Sequence, residues 1–311
     1  MQQTPRLIAI DIDGTLLPPE GKITQRTIDA LLRAQEAGIH IAIATGRRHC
    51  YALRVLREIG LAPHNTLISS NGAVLRNFNH ELLHRSTLSR DTSLWLAQHL
   101  ADFRNTLVLT FDLVGPDGED ARGALVVEHL DHLHQSISRW MIANEPYISH
   151  INPIEGALTG DSPGDAPIQA MLCGTVDHMQ QAEAHLLAHE HVYSANHDAH
   201  ERLHTARVAI HRTEYPERDL CIVDILPAGC SKGIALERLA RSLNLPMGQT
   251  LAIGDNWNDL SMLQTAGSAA LMSNAPPDLL ALARRHGWRI LPSHAEEGVA
   301  YLLEDLLGTA K

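Results

Sequence analysis

Short apolar runs alternate with segments of helical spacing at both ends of this chain, and that alternation restricts the fold more than any other feature. Residues 7–10, 39–44 and 66–70 read as strands. Between them lie two helices, 27–37 with Ile28, Leu31 and Leu32 on one face, and 48–59 with Ala52, Val55, Leu56 and Ile59. Gly38 and Gly60 stop these helices. Strands without a polar face, separated by helices, pair in parallel through right-handed crossovers, so the expected core is an α/β, doubly wound, mostly parallel sheet. The pattern returns after residue 231, with helices at 232–243, 259–266 and 299–307 and strands at 250–253, 269–272 and 288–291. Pro276 and Pro277 open one more helix, carrying Leu279, Leu280 and Leu282.

The middle of the chain has a different texture. Residues 106–111 and 124–128 read as strands flanking the turn Gly115-Pro116-Asp117-Gly118, an antiparallel hairpin signal. Residues 133–143 and 178–188 have helical spacing, 168–172 and 207–211 are extended, and the stretch 155–167, rich in Gly, Pro and Asp, is expected to be a mobile loop. The expected organisation is a core built from 1–82 and 228–311, with an α+β cap domain inserted at 83–227. A length of 311 residues gives each domain a substantial core.

Composition narrows the function classes. With 44% apolar and 20% charged residues the chain belongs with soluble globular proteins, and its formal net charge of -11 argues against a general nucleic-acid binder. No apolar run approaches membrane-spanning length and no signal-peptide core precedes Asp11, so a cytoplasmic protein with no membrane partner is expected. Cys50, Cys173, Cys221 and Cys230 form no paired motif and are expected to be reduced and packed. The 20 histidines crowd at His185, His189, His191, His197 and His200, in a spacing that fits no standard metal site and favours solvated helix and loop positions.

Chemistry is expected where strands end, because ligands of open α/β sheets bind beyond the carboxyl ends of the strands. Asp11-Ile12-Asp13-Gly14-Thr15 places two carboxylates one residue apart directly after a buried strand. Charge there is costly unless a cation or a reacting group compensates it, although an Asp-Gly turn alone would also account for the pentapeptide. Thr45-Gly46-Arg47 ends the second strand. Gly254-Asp255-Asn256-Trp257-Asn258-Asp259 follows the strand at 250–253 with more acids and amides than a turn needs. Ser231-Lys232-Gly233 opens a helix, so an ammonium sits beside free N–H groups at a position suited to phosphate.

Taken in this order, with Ser69-Ser70-Asn71-Gly72-Ala73, these segments resemble the haloacid dehalogenase-like hydrolase superfamily, and within it the Cof-like phosphatases with a class IIB α/β cap. The resemblance implies a Rossmann-like core, with the cap entering after Gly72 and leaving just before Lys232. It implies that Asp11 is the nucleophile, forming an aspartyl-phosphate, and that Asp13 is the acid and base. It further implies that Asp11, the main-chain carbonyl of Asp13, and Asp255 hold Mg²⁺, an ion suited to few carboxylates and several waters. Ile12 through its amide, Thr45, Gly46, Lys232 and Asn258 would bind phosphoryl oxygens, and Asp259 would orient the loop or a metal-bound water rather than ligate directly. Trp257 stands where the family has a smaller or more polar residue and is expected to pack toward the cap. His84, Arg85, Arg122, His129, Arg207 and His211 are polar positions of the insert with an exposed reading for each.

The expected function is a Mg²⁺-dependent phosphatase acting on a small phosphorylated metabolite, a sugar phosphate or a related monoester. The alternatives are a phosphomutase of the phosphomannomutase type and a low-turnover regulatory module that binds such metabolites. Dehalogenation is disfavoured, because Asp13 supplies a proton-transfer group that it does not need. The sequence leaves the oligomeric state open.

Overall fold

Leu7–Ile10 forms β1 with every residue buried, as an apolar run without a polar face must. The computed structural model describes residues 4–129, 138–160, 165–194, 205–215 and 219–308. α1 (Gln25–Glu36) starts two residues before its apolar spacing suggests, because the Thr24 hydroxyl accepts the Thr27 N–H and caps it. β2 (His40–Ala44), α2 (His49–Leu56) and β3 (Thr66–Ser69) follow. α2 is shorter than expected, tightening at Arg57–Ile59 into a 3-10 turn that Gly60 closes at φ 77°. Two strands were not legible in the sequence: β4 (Val74–Asn77), which turns back antiparallel on β3, and β5 (Leu82–Arg85) beside it at the sheet edge.

The inserted segment contains α3 (Arg90–His99), β6 (Leu107–Thr110), β7 (Leu125–Val127), α4 (Ser138–Asn144), β8 (Ile148–His150), β9 (Gln169–Gly174), α5 (Val176–Leu187), β10 (Val192–Ser194), β11 (Val208–Tyr215) and β12 (Leu220–Pro227). Its sheet runs in the order β10-β11-β12-β9-β6-β7-β8, with β6 and β7 antiparallel as the hairpin signal suggests. The stretch read as a mobile loop is structured at its start. Ile154–Leu158 is a 3-10 helix whose Ile154 and Leu158 are buried in the apolar cluster of this unit. Residues 133–137 of the expected helix, 161–164 of that loop, His197 and His200 lie outside the described residues. His185 is exposed near the end of α5, and His189 and His191 are half-buried in the turn after it, with their rings in contact with neighbouring rings. His185 stacks on His99 with ring centroids 4.2 Å apart, and His189 lies 4.7 Å from His191 and 4.8 Å from Trp95.

The last block supplies α6 (Lys232–Ser242), β13 (Thr250–Gly254), α7 (Leu260–Thr265), β14 (Ser268–Met272), α8 (Pro277–His286), β15 (Arg289–Leu291) and α9 (Gly298–Leu306). The chain divides into two compact units, Met1–His84 with Ser231–Lys311, and Arg85–Cys230. The sheet of the first unit has the order β15-β14-β13-β1-β2-β3-β4-β5, parallel from β15 through β3. One apolar cluster joins the sheet to α1, α2 and α9, and another joins its opposite face to α6, α7 and α8. All four cysteines are free and buried, and among the described residues no helix is long and apolar enough to cross a membrane.

A half-buried histidine ties acid sensitivity to this sheet. His40 Nε2 lies 2.9 Å from Thr66 Oγ1, and burial, with His64 nearby, pushes the His40 imidazole down to about 4. The unfolded chain protonates the same residue near an ordinary value of about 6.5. Between these values the unfolded chain binds more protons, so stability falls as pH is lowered through that window. His40→Asn is expected to lose less stability than the parent between roughly pH 7 and pH 5, read from urea midpoints by circular dichroism. Equal losses in both proteins would refute the assignment.

Candidate active site

Backbone register brings the three strand ends together before any side chain acts. Ile10 of β1 pairs with Ile43 of β2 on one side and Ile253 of β13 on the other, all in parallel. The residues that follow therefore leave the sheet at one edge, and β1 lies between strands from opposite ends of the chain, where ligand crevices of such sheets form. Gly14 is required at this edge, since it has φ +84° and a Cβ there would stand 2.3 Å from Asp255 Oδ2. Its carbonyl accepts Asn274 Nδ2 at 2.9 Å.

Lys232 sits at the centre. Ser231 caps α6, its hydroxyl accepting the Ile234 N–H at 3.1 Å, and this places Lys232 on the first turn with 0% of its side chain exposed. Its ammonium donates to Asp11 Oδ1 and to Asp259 Oδ1, both at 2.6 Å. Asp259 also accepts the N–H groups of Asp255 and Asn256 on Oδ2, at 3.0 and 3.1 Å, so it ties the loop to the lysine with both oxygens in use. Thr15 Oγ1 donates to Asp255 Oδ1 at 2.8 Å. Carboxylate oxygens of Asp11, Asp255 and Asp259 all lie within 4.8 Å of one another.

This crowding shifts proton affinity. Burial, then Asp259, pushes the Asp11 carboxyl up to about 8 against the pull of Lys232. Burial, then Asp11, raises Asp255 well above the usual carboxylate range. Burial pulls the Lys232 ammonium down, but Asp11 and Asp259 outweigh it and hold it above the ordinary lysine value. Ionising all three carboxylates against one ammonium would leave two negative charges in the cluster, which is why burial without a further cation favours their protonated forms.

Three of the expected phosphate-contacting residues, Thr45, Gly46 and Asn258, gather around a residue that the motif contained but that received no role. Asn71 adopts a left-handed conformation, φ 51°, which asparagine tolerates better than most residues. Its N–H donates to the Thr45 carbonyl at 3.0 Å, its Oδ1 accepts Asn258 Nδ2 at 3.3 Å, and its amide packs against Gly46, where a Cβ would stand 3.2 Å away. Thr45 is fully buried and its Oγ1 accepts the Arg47 N–H at 3.1 Å. The Ile12 side chain is buried in the core and its carbonyl accepts the Leu17 N–H at 2.8 Å.

Asp13 stands apart from the lysine cluster. Its side chain is 45% exposed and is gripped by Arg47, the second residue that sequence reasoning passed over. The Thr-Gly-Arg run was the available signal for Arg47, and the Asn-Gly reversal after β3 was the one for Asn71. Trp257 is half-buried and lies against the apolar cluster of α6, α7 and α8 in its own unit. Cys230 is a packed thiol, 4% exposed. In the insert, Arg122, His129 and Arg207 are exposed as read, and His84 and Arg85 are half-buried. His211, however, is 1% exposed, with Nε2 3.3 Å from the Cys230 carbonyl, and Arg85 pairs with Asp112 at 3.3 Å.

The chain is 29% identical to phosphatase YwpJ of Bacillus subtilis over 97% of its length and 100% of that protein. It is 30% identical to an HMP-PP phosphatase of Escherichia coli O157:H7 over 89% of its length and 87% of that protein. A solved haloacid dehalogenase-like hydrolase from B. subtilis shares the fold with a TM-score of 0.73 at 23% identity, covering 96% of this chain and 99% of that one. A family model for haloacid dehalogenase-like hydrolases matches residues 8–303, and the chain belongs to that family.

Proposed function

We propose that the protein is a Mg²⁺-dependent phosphatase that hydrolyses a small organic phosphate monoester through an aspartyl-phosphate on Asp11. The observation that carries this reading is the buried Lys232 ammonium holding Asp11 beside Asp255 and Asp259, with Asp13 exposed two residues away. Relatives named as phosphatases along nearly the whole chain support it.

The residues fit a divalent cation. Asp259 has both oxygens engaged, whereas Asp11 Oδ2 and Asp255 Oδ2 receive no hydrogen bond among the described residues. Two available hard oxygens, on acids that a nearby cation would ionise, match Mg²⁺ held by Asp11, Asp255 and the Asp13 carbonyl. When bound, the ion supplies positive charge for the phosphoryl oxygens and keeps the buried acids ionised.

In this reading an Asp11 oxygen attacks phosphorus and the ester P–O bond breaks, while Asp13 gives its proton to the leaving alcohol. Water then attacks phosphorus and gives a proton to Asp13, the Asp11 oxygen–phosphorus bond breaks to restore the carboxylate, and inorganic phosphate leaves. Lys232 fixes the nucleophile and adds positive charge where the transition state gathers negative charge. Because Thr45 Oγ1 already accepts the Arg47 N–H, its hydroxyl proton is available to a phosphoryl oxygen. Asn258 keeps a second amide hydrogen for the same purpose, with Asn71 fixing which way its amide faces.

Release of inorganic phosphate from p-nitrophenyl phosphate is expected with Mg²⁺, to be abolished by EDTA and restored by added Mg²⁺. Asp11→Asn is expected to remove turnover, and full activity in that variant would overturn the nucleophile assignment. A panel of phosphorylated metabolites, scored for phosphate release against isomer formation, separates a phosphatase from a mutase. For Asp13→Asn the rate is expected to fall by about 10²–10⁴ with poor leaving groups and much less with p-nitrophenolate; a uniform loss would contradict the acid role. Lys232→Met leaves buried carboxylates without their cation, and a loss of about 3–5 kcal/mol in unfolding free energy is expected without Mg²⁺.

A further inference from the structure

The two acids of the Asp11-Ile12-Asp13 run are held in opposite ways. Asp11 is 6% exposed by side chain and bonded to Lys232, whereas Asp13 is 45% exposed and makes no side-chain hydrogen bond among the described residues except to Arg47. A solvent-facing aspartate otherwise rotates about two soft torsions. A proton donor, in contrast, has to stand within hydrogen-bond reach of one oxygen.

Arg47 removes that freedom. Its Nε donates to Asp13 Oδ2 at 2.8 Å and its Nη2 to Oδ1 at 2.5 Å. Two parallel bonds set the plane of the carboxylate as well as its position, which the single point charge of a lysine does not. Arg47 is itself fixed on three sides. Its N–H donates to Thr45 Oγ1 at 3.1 Å, its carbonyl accepts the Ser70 N–H at 2.9 Å, and its guanidinium carbon lies 4.9 Å from the centre of the Tyr51 ring. An ion pair to a half-exposed carboxylate adds little to stability, so folding alone does not call for this much anchoring.

We infer that Arg47 is a positioning residue for Asp13, holding the carboxylate plane at a fixed offset from Thr45 so that proton donor and phosphoryl-binding hydroxyl move as one piece. The inference rests on Asp13 being the acid, as proposed above. It also explains why the arginine follows Thr45 by two residues. The same short turn presents one side chain to the phosphoryl group and the other to the acid.

The test uses kcat/KM, which reports the step that expels the alcohol, on three aryl esters of rising leaving-group pKa: p-nitrophenyl, phenyl and p-methoxyphenyl phosphate. Asp13→Asn, Arg47→Ala, Arg47→Lys and the double variant Asp13→Asn/Arg47→Ala are compared in the full-length, Mg²⁺-supplied protein. Arg47→Ala is expected to lose at least about tenfold on p-methoxyphenyl phosphate and under about threefold on p-nitrophenyl phosphate, following the same trend as Asp13→Asn. Arg47→Lys is expected to fall between Arg47→Ala and the parent, and the double variant to lie within about twofold of Asp13→Asn alone.

A loss in Arg47→Ala that is equal for all three esters, or losses that multiply in the double variant, would overturn the inference while leaving the Asp13 assignment intact. A leaving-group trend absent from Asp13→Asn itself would instead remove the acid assignment on which the inference stands. If Arg47→Ala does not fold, Arg47→Lys decides by the same leaving-group trend, since it keeps the charge and loses the second hydrogen bond.

Discussion

A buried ammonium between two buried carboxylates organises the core of this protein. Lys232, on the first turn of α6, reaches Asp11 at the end of β1 and Asp259 in the loop after β13, and removing it would leave buried acids without a cation. The contact joins residues 221 positions apart and fixes the β13 loop onto the end of β1. Asp259 extends the clamp by accepting two main-chain N–H groups, so the loop that carries Asp255 and Asn258 is held by its own last acid. After this pairing Asp11 Oδ2 and Asp255 Oδ2 receive no hydrogen bond among the described residues.

Around this clamp the backbone leaves little latitude. Gly14 has no room for a side chain beside Asp255, and Gly254 has none beside Asp259, whose Cβ would stand 2.6 Å from an added methyl. Asn71 works differently. It occupies a left-handed turn and uses its amide to join the Thr45-Gly46 turn to Asn258. The result is a set of short turns pinned to one another at the end of a rigid sheet, which is how preorganised donors are kept on target.

The alternation of apolar runs and helices made the parallel sheet legible, and the residues at the strand ends made the lysine cluster legible, because both depend on local pattern. The elements that were not legible depend on tertiary context. β4 and β5 follow an Asn-Gly reversal that reads as the end of a strand, and only pairing with β3 makes the segment extended. The turn at Ile154–Leu158 has the composition of a loop and is ordered by two side chains buried in the cluster of the second unit. Arg47 and Asn71 carry no periodic signal at all, since their partners Asp13 and Asn258 are 34 and 187 positions away. His211 reads as a surface residue because nothing in its strand reveals that its ring is enclosed beside Cys230.

The neighbours of β1 come from opposite ends of the chain: β2 begins at His40, and β13 at Thr250. During synthesis, the first strand can pair on its β2 side early, while its other edge waits for more than half of the polypeptide to be made. An apolar edge left open that long is a template for strand pairing with another nascent molecule. The Thr15–Asp255 hydrogen bond, spanning 240 positions, forms only after that wait ends. The first unit is therefore expected to be among the last parts of the molecule to become resistant to aggregation, although its sequence begins at the N-terminus.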